Sequence, residues 1–343
     1  MNYVTPTSPP DDQSVFPAPR PMLSIVVPCH NEQEVLPELH ARLSAVLENI
    51  GQTSEIVFVN DGSTDRTLAC LEMLRTRDPR VGLVNLSRNF GKEIATTAGL
   101  DHARGAAVVV IDADLQDPPE VIPELLAAWR DGADVVHAQR RARAGEPWLK
   151  RATAAAFYRV MGRAGRAPIP RNVGDFRLMS RRVVDAMGEL REQHRFMKGL
   201  FAWVGFPSRV VVYDRAPRHA GRTKWGYWKL WNLAIEAITS HTVMPLKVAT
   251  YLGLLTAFGA ALYLLEVVVR TLVWGNSVAG YPSLMAVVLF LGSAQLVTLG
   301  VIGEYLGRVF NETKGRPLYL VERFVLAEGT ERRGGIIRSM PSP

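Results

Sequence analysis

Between Leu23 and Gln139 the chain repeats one pattern: a short apolar run, then a longer stretch with apolar residues three and four positions apart. The runs Leu23–Pro28, Ile56–Asn60, Val81–Leu86, Ala107–Ile111 and Val135–Gln139 read as strands buried on both faces, because polar residues do not alternate regularly through them. The stretches Glu34–Ile50, Thr64–Arg77, Lys92–Ala103 and Pro119–Arg130 have helical spacing. Strand–helix alternation predicts an α/β domain with a mostly parallel sheet and helices on both faces. Ligands of such sheets sit at the carboxyl ends of the strands. Three polar clusters fall there: His30-Asn31-Glu32, Asp61-Gly62-Ser63 and the stretch from Asp112 to Asp117. Ser63 or Thr64 is expected to cap the helix that follows.

The pattern changes after residue 244. Val248–Val269 is apolar over 22 residues apart from Glu266, and Ser283–Ile302 runs 20 residues without a charge. About 20 apolar residues span a bilayer core, so two transmembrane helices are predicted. The loop Arg270–Pro282 holds one basic residue, whereas Lys224, Lys229 and Lys247 precede the pair and Arg308, Lys314, Arg316 and Arg323 follow it. The positive-inside rule then puts both termini and the α/β domain on the cytoplasmic side of the inner (plasma) membrane. Gly145–Arg166 is basic and amphipathic, and Lys224–Thr242 holds Trp225, Trp228 and Trp231 on or near one helical face. Aromatic rings rimmed by lysine suit the membrane interface, an ordinary core face being the alternative. The expected organisation is a disordered, proline-rich leader (1–21), a cytosolic α/β domain (22–222), an interfacial segment (223–245), a two-helix membrane domain (246–308) and a cytosolic C-terminal segment (309–343).

The formal net charge of +7 admits nucleic acid, anionic lipid or a phosphorylated substrate as partner. The basic residues flank the apolar spans, which need a bilayer, so nucleic acid is set aside. Two cysteines, Cys29 and Cys70, supply neither a disulfide framework nor a zinc set.

Asp112-Ala113-Asp114 directly follows an apolar strand. Two carboxylates spaced this way can share one hard cation, which neutralises the diphosphate of a nucleotide leaving group. Gln116 adds a neutral oxygen, and Mg²⁺ or Mn²⁺ fits such donors where zinc does not. Asp61 is either a turn or capping aspartate or an acceptor for a base or ribose, and Glu32 either a turn residue or a donor-site carboxylate. Arg218, Arg222 and Lys224 stand just before the aromatic segment, where a phosphorylated lipid head group would arrive, a solvated basic loop being the alternative.

Val27-Pro28-Cys29-His30-Asn31-Glu32, Asn60-Asp61-Gly62-Ser63-Thr64-Asp65 and Asp112-Ala113-Asp114-Leu115-Gln116 resemble the motifs of inverting glycosyltransferases with a GT-A fold. The likeness continues through Arg177, through Arg218-His219-Ala220-Gly221-Arg222-Thr223-Lys224 and into Gly303-Glu304-Tyr305-Leu306-Gly307-Arg308. Over Leu23 to Phe324 the chain is similar to the polyisoprenyl-phosphate glycosyltransferases, and within them to the GtrB type, which makes polyprenyl-phosphate glucose. The resemblance implies a nucleotide pocket lined by Pro28, His30 and Glu32, with Val59 and Asp61 against the base. His30 stands where tyrosine is common in that group. Asp112 and Ala113 would contact the nucleotide, Asp114 and Gln116 the metal, Arg140 the donor phosphates, and Arg218 and Lys224 phosphate oxygens near the membrane. Asp175 would lie near the acceptor phosphate and the sugar, orienting the acceptor, holding a hydroxyl or acting as a base; a helix cap or a salt bridge to Arg177 is the plainer alternative. The implied substrates are UDP-glucose and polyprenyl (undecaprenyl) phosphate, with GDP-mannose or another nucleotide-sugar as the rival donor. The implied assembly is a homo-oligomer, a tetramer among the options. A processive polysaccharide synthase is disfavoured, since Gln193-His194-Arg195-Phe196 does not match the Gln-x-x-Arg-Trp acceptor motif. Intact Asp61, Asp112, Asp114 and Gln116 also disfavour an inactive membrane scaffold.

Overall fold

The structure, a computed structural model, describes residues 21–141, 173–193, 195, 197–214, 244–274 and 280–327. The predicted stretches around Trp148 and Trp225, the leader, and Arg218, Arg222 and Lys224 lie outside the described residues.

All five predicted strands form: β1 (Leu23–Cys29), β2 (Ser54–Asn60), β3 (Val81–Leu86), β4 (Ala107–Val110) and β5 (Val135–Arg140). The helices between them are α1 (Leu36–Ile50), α2 (Thr67–Arg77), α3 (Lys92–His102) and α4 (Ile122–Arg130), the last entered through a 3₁₀ turn at Pro119–Val121. Three further strands complete the sheet: β6 (Val173–Ser180), β7 (Ser208–Tyr213) and β8 (Val321–Val325). Two short helices, α5 (Arg181–Glu189) and α6 (Met197–Trp203), join β6 to β7.

The strand order is β7-β5-β6-β4-β1-β2-β3-β8. Pairs β1–β2, β1–β4, β2–β3 and β5–β7 are parallel; β6 runs antiparallel to both its neighbours, and β8 to β3. Side-chain alternation splits the core in two. Leu23, Ile25 and Val27 of β1 pack with α1, α2 and α4, while Val26 packs on the other face with α3, α5 and α6. Burial on both faces explains why these strands carry continuous apolar sequence. Each fully buried Val, Leu or Ile contributes about 1.5–3 kcal/mol.

Beyond β7 the chain forms a helical hairpin, α7 (Met244–Trp274) and α8 (Tyr281–Thr313), and then returns to the sheet as β8. Asn60 Nδ2 donates to Asn85 Oδ1 (2.7 Å), and Asn85 Nδ2 to Glu322 of β8 (2.9 Å). Tyr319 Oη donates to Asp101 (2.7 Å), and the Gln193 amide N–H donates to Glu312 at the end of α8 (2.8 Å). The C-terminal end of the hairpin is therefore tied to the α/β domain through β8 and these contacts. Among the described residues no helix is long and apolar enough to cross a membrane. Described side chains of the hairpin include Leu255, Phe258, Leu296 and Val297, each more than 60% exposed.

Candidate active site

Three loops at the carboxyl ends of β1, β2 and β4 meet around a cavity of about 300 Å³ lined by Pro28, His30, Glu32, Asp61, Lys92, Asp112, Ala113 and Asp114, among others. Asn31 sits at φ 58°, a left-handed conformation that asparagine tolerates. Its side-chain oxygen accepts the Thr64 backbone N–H (2.8 Å), which ties the first loop to the second. Gly62, at φ 58°, lets the second loop pass against the β3–α3 loop: a Cβ there would lie 2.3 Å from the Asn89 backbone nitrogen. Neither Ser63 nor Thr64 caps α2, contrary to expectation. Asp65 accepts the Thr67 N–H instead (2.9 Å), because Asn31 has already drawn Thr64 toward the first loop.

Asp61 is buried, and its carboxylate accepts the backbone N–H groups of Phe90 (2.7 Å) and Gly91 (3.0 Å) at the start of α3. It caps α3 in tertiary space, where charge-assisted bonds to unpaired helix N–H groups are strongest. His30 Nδ1 donates to the Asp61 carbonyl oxygen (2.9 Å), and Asn89 Nδ2 donates to His30 Nε2 (3.1 Å).

The opposite wall is built of charges. Lys92, the first residue of α3, places its ammonium 2.7 Å from Asp112 Oδ1 and 2.5 Å from Asp175 Oδ2. Burial would pull this ammonium down, but Asp112 and Asp175 outweigh it and raise the pKa above the ordinary lysine value. Asp112 is shifted upward, first by burial and then by Asp175, with Lys92 opposing. The ammonium faces Asp112 Oδ1 as an ion pair and donates a hydrogen bond to Oδ2 (2.8 Å). Asp175 lies on β6 rather than at a helix end, and its carboxylate is 4.0 Å from the Arg177 guanidinium. Arg177 itself is buried, stacked 3.8 Å from the Phe201 ring centroid, and donates to the Gly174 carbonyl (2.8 Å). Burial lowers its pKa to about 10.

Asp114 takes two bonds from Gln116, from the backbone N–H (3.1 Å) and from Nε2 (2.7 Å). Between them Leu115 is left-handed (φ 57°), a conformation costing roughly 1–2 kcal/mol, and its buried side chain anchors the turn in the core. Asp117, fully buried, accepts the Tyr213 hydroxyl and Arg140 Nη2 (3.1 Å).

The structure thus gathers Pro28, His30, Glu32, Asp61, Asp112, Ala113 and Asp114 around one cavity, with Gln116 on Asp114 and Asp175 on Lys92. Val59 is buried in the core beneath α3, and Arg140 is committed to Asp117 and Tyr213. Sequence reasoning missed Lys92. The available signal was its position: a cation at a helix N-terminus opposes the helix dipole, so something else must hold it there.

The chain is similar to known proteins over most of its length. Residues 24–188 match Glycosyl transferase family 2, and residues 244–309 match the GtrB C-terminal hairpin. An uncharacterized glycosyltransferase, sll0501, of Synechocystis sp. is 55% identical over 87% of this chain and 94% of its own length. A prophage-derived bactoprenol glucosyl transferase of Shigella flexneri is 49% identical over 88% of this chain and 97% of its own. Among solved structures, glucosyl-3-phosphoglycerate synthase from Mycobacterium tuberculosis is 20% identical, with a TM-score of 0.43 over 64% of this chain and 77% of that one. The chain belongs to glycosyltransferase family 2, with a GT-A-like α/β domain and a GtrB-type C-terminal hairpin, and it is a glycosyltransferase.

Proposed function

We propose that this enzyme transfers glucose from UDP-glucose to polyprenyl phosphate, with inversion at the anomeric carbon and with Mg²⁺ or Mn²⁺ bound. The observation that carries this reading is the wall of carboxylates, Asp112, Asp114 and Asp175, beside one cavity at the strand ends. The sugar and the lipid follow the name of the Shigella relative, a bactoprenol glucosyl transferase.

The donor set suits a hard divalent cation: Asp112 and Asp114 line the cavity with carboxylate oxygens, Asp112 Oδ1 being buried against the Lys92 ammonium, and Gln116, whose Nε2 donates to Asp114, carries a further amide oxygen. Among the described residues no group of three or more His, Cys, Asp or Glu stands ready to enclose a metal. Donor phosphates and water would complete the shell, as is usual for Mg²⁺. When bound, the cation neutralises charge on the diphosphate leaving group.

The protein's own groups do the rest. Pro28, His30 and Glu32 hold the nucleoside from the hydrogen-bonded wall, and Asp61 fixes the loops behind them. The acceptor phosphate is anionic at neutral pH, so it needs orientation more than deprotonation. One of its oxygens attacks the anomeric carbon opposite the diphosphate. The new carbon–oxygen bond forms as the bond to the nucleotide breaks, and the electron pair leaves with the diphosphate. Asp175, held by Lys92, stands where it can orient the acceptor. Arg218, Arg222 and Lys224, outside the described residues, would offset repulsion between the two phosphorylated substrates.

The hairpin we assign to the plasma membrane, with its ends and the catalytic domain in the cytoplasm. At 31 residues α7 reaches about 46 Å, more than the roughly 30 Å hydrocarbon core. Its exposed leucines and phenylalanine support that placement.

A panel of labelled nucleotide-sugars with polyprenyl phosphate, with and without Mg²⁺ or Mn²⁺, tests the reading. A lipid carrying one hexose from UDP-glucose is the expected product. Product from GDP-mannose instead would overturn the sugar assignment, and a ladder of products would indicate a processive synthase.

A further inference from the structure

We propose that Lys92 is an internal counter-ion of the metal site, one that occupies Asp112 before the divalent cation binds and competes with that cation for it. The inference rests on the reading that Asp112, Asp114 and Gln116 face the metal. Lys92 touches Asp112 at 2.7 Å and Asp175 at 2.5 Å, so one ammonium joins the nucleotide-side carboxylate to the acceptor-side carboxylate. Its backbone position does not favour a cation, because the first turn of a helix carries unpaired N–H groups and a positive dipole end. The two carboxylates are what hold it. No other lysine or arginine among the described residues contacts Asp112 in an ion pair.

A divalent cation on Asp112 and Asp114 would stand a few ångströms from this ammonium and repel it. The physical consequence is an exchange. The arriving cation displaces Lys92 from Asp112, and Lys92 stays with Asp175 on the side where the acceptor phosphate attacks. There it offers a positive charge to that phosphate only after the metal is in place. Lys92 thereby couples the loading of the donor side to the readiness of the acceptor side. This is a positioning role, and it makes a prediction opposite in sign to ordinary structural support: removing the lysine strengthens metal binding while weakening transfer.

The test is Mn²⁺ binding to the purified full-length protein without nucleotide, read from the electron paramagnetic resonance of free Mn²⁺. Lys92→Met is expected to bind Mn²⁺ about tenfold more tightly than the parent, from the loss of one like charge at close range. Lys92→Arg, which keeps the charge, should stay near the parent affinity, and Asp114→Asn should bind more weakly. Unchanged or weaker binding by Lys92→Met, with Asp114→Asn weakened, overturns the role of Lys92 alone. Unchanged binding by Asp114→Asn overturns the metal assignment itself. A second readout needs no folded Lys92→Met protein. In the parent labelled with ¹⁵N-lysine, the ammonium signal absent from Lys92→Arg should move on Mg²⁺ titration, and a stationary signal overturns the proposal.

Discussion

On one wall of the cavity the Asp61 carboxylate is filled by backbone N–H groups of Phe90 and Gly91, and His30 by the Asp61 carbonyl and Asn89. On the other wall the Lys92 ammonium joins Asp112 to Asp175, with the Arg177 guanidinium 4.0 Å from Asp175. The first wall is fixed by the fold, since its polar groups are satisfied by backbone and neutral amides. The second is charge balanced against charge, and any incoming ion or phosphate changes that balance. A wall fixed by hydrogen bonds and a wall balanced by charge thus face each other across one cavity, and substitutions should separate them: changes to the charged wall are expected to act on turnover, changes to the hydrogen-bonded wall on stability.

The largest effect is expected from Asp114→Asn. It should lower transfer by about 10³-fold, in line with losing a group that stabilises a developing negative charge, with little change in melting temperature. Parallel rate and melting measurements check it, and a destabilised but active variant would erase the contrast between the walls.

Next comes pH, through His137 beneath the charged wall. Its Nδ1 is buried without a hydrogen-bond partner among the described residues, and burial, then the charge of Arg177, lower its pKa from 6.5 to about 4. Between those values the unfolded chain binds a proton that the folded one does not, so stability falls as pH drops from 6.5 toward 4. The loss is at most about 3 kcal/mol. Denaturant titrations at several pH values should show this slope in the parent and a shallower one in His137→Asn.

Asp61→Asn comes third. The amide keeps one acceptor and turns its own N–H₂ toward a backbone N–H, which should cost about 2 kcal/mol of stability. A turnover defect in this variant without destabilisation would assign Asp61 to the substrate rather than to the start of α3. The smallest effect, about 1 kcal/mol, is expected for Tyr213→Phe, which removes one of the donors to Asp117 at the end of the Asp112–Asp117 loop. Arg140 remains on Asp117 in that variant, so denaturation should detect a small shift and no loss of fold.

The parallel strands were legible because burial on both faces leaves an uninterrupted apolar run, as in Ala107–Val110. β6 was not, since Val-Gly-Asp-Phe-Arg-Leu-Met-Ser places a glycine, an aspartate and a fully buried arginine in an interior strand. Only the stacking of Arg177 on Phe201 and its bonds to backbone carbonyls make that tolerable, and these are tertiary contacts. β7 and β8 are edge strands with mixed exposure, which blurs the apolar signal. Asp61, Asp112 and Asp114 could be found because each follows a strand, whereas Asp175 lies inside β6 and was reached through the family resemblance. The partnership of Asp112 and Asp175 with Lys92 could not be found, because the lysine is 20 residues from Asp112 and 83 from Asp175 in the chain.

The central claim is a metal-assisted transfer of one glucose to polyprenyl phosphate at the charged wall. The most direct measurement is thin-layer analysis of the lipid product formed from labelled UDP-glucose and polyprenyl phosphate by the parent and by Asp114→Asn, with Mn²⁺ and with chelator. The account predicts a single-hexose lipid from the parent with Mn²⁺, little with chelator and little from Asp114→Asn. Equal product in all lanes, or no lipid product from the parent, would contradict it.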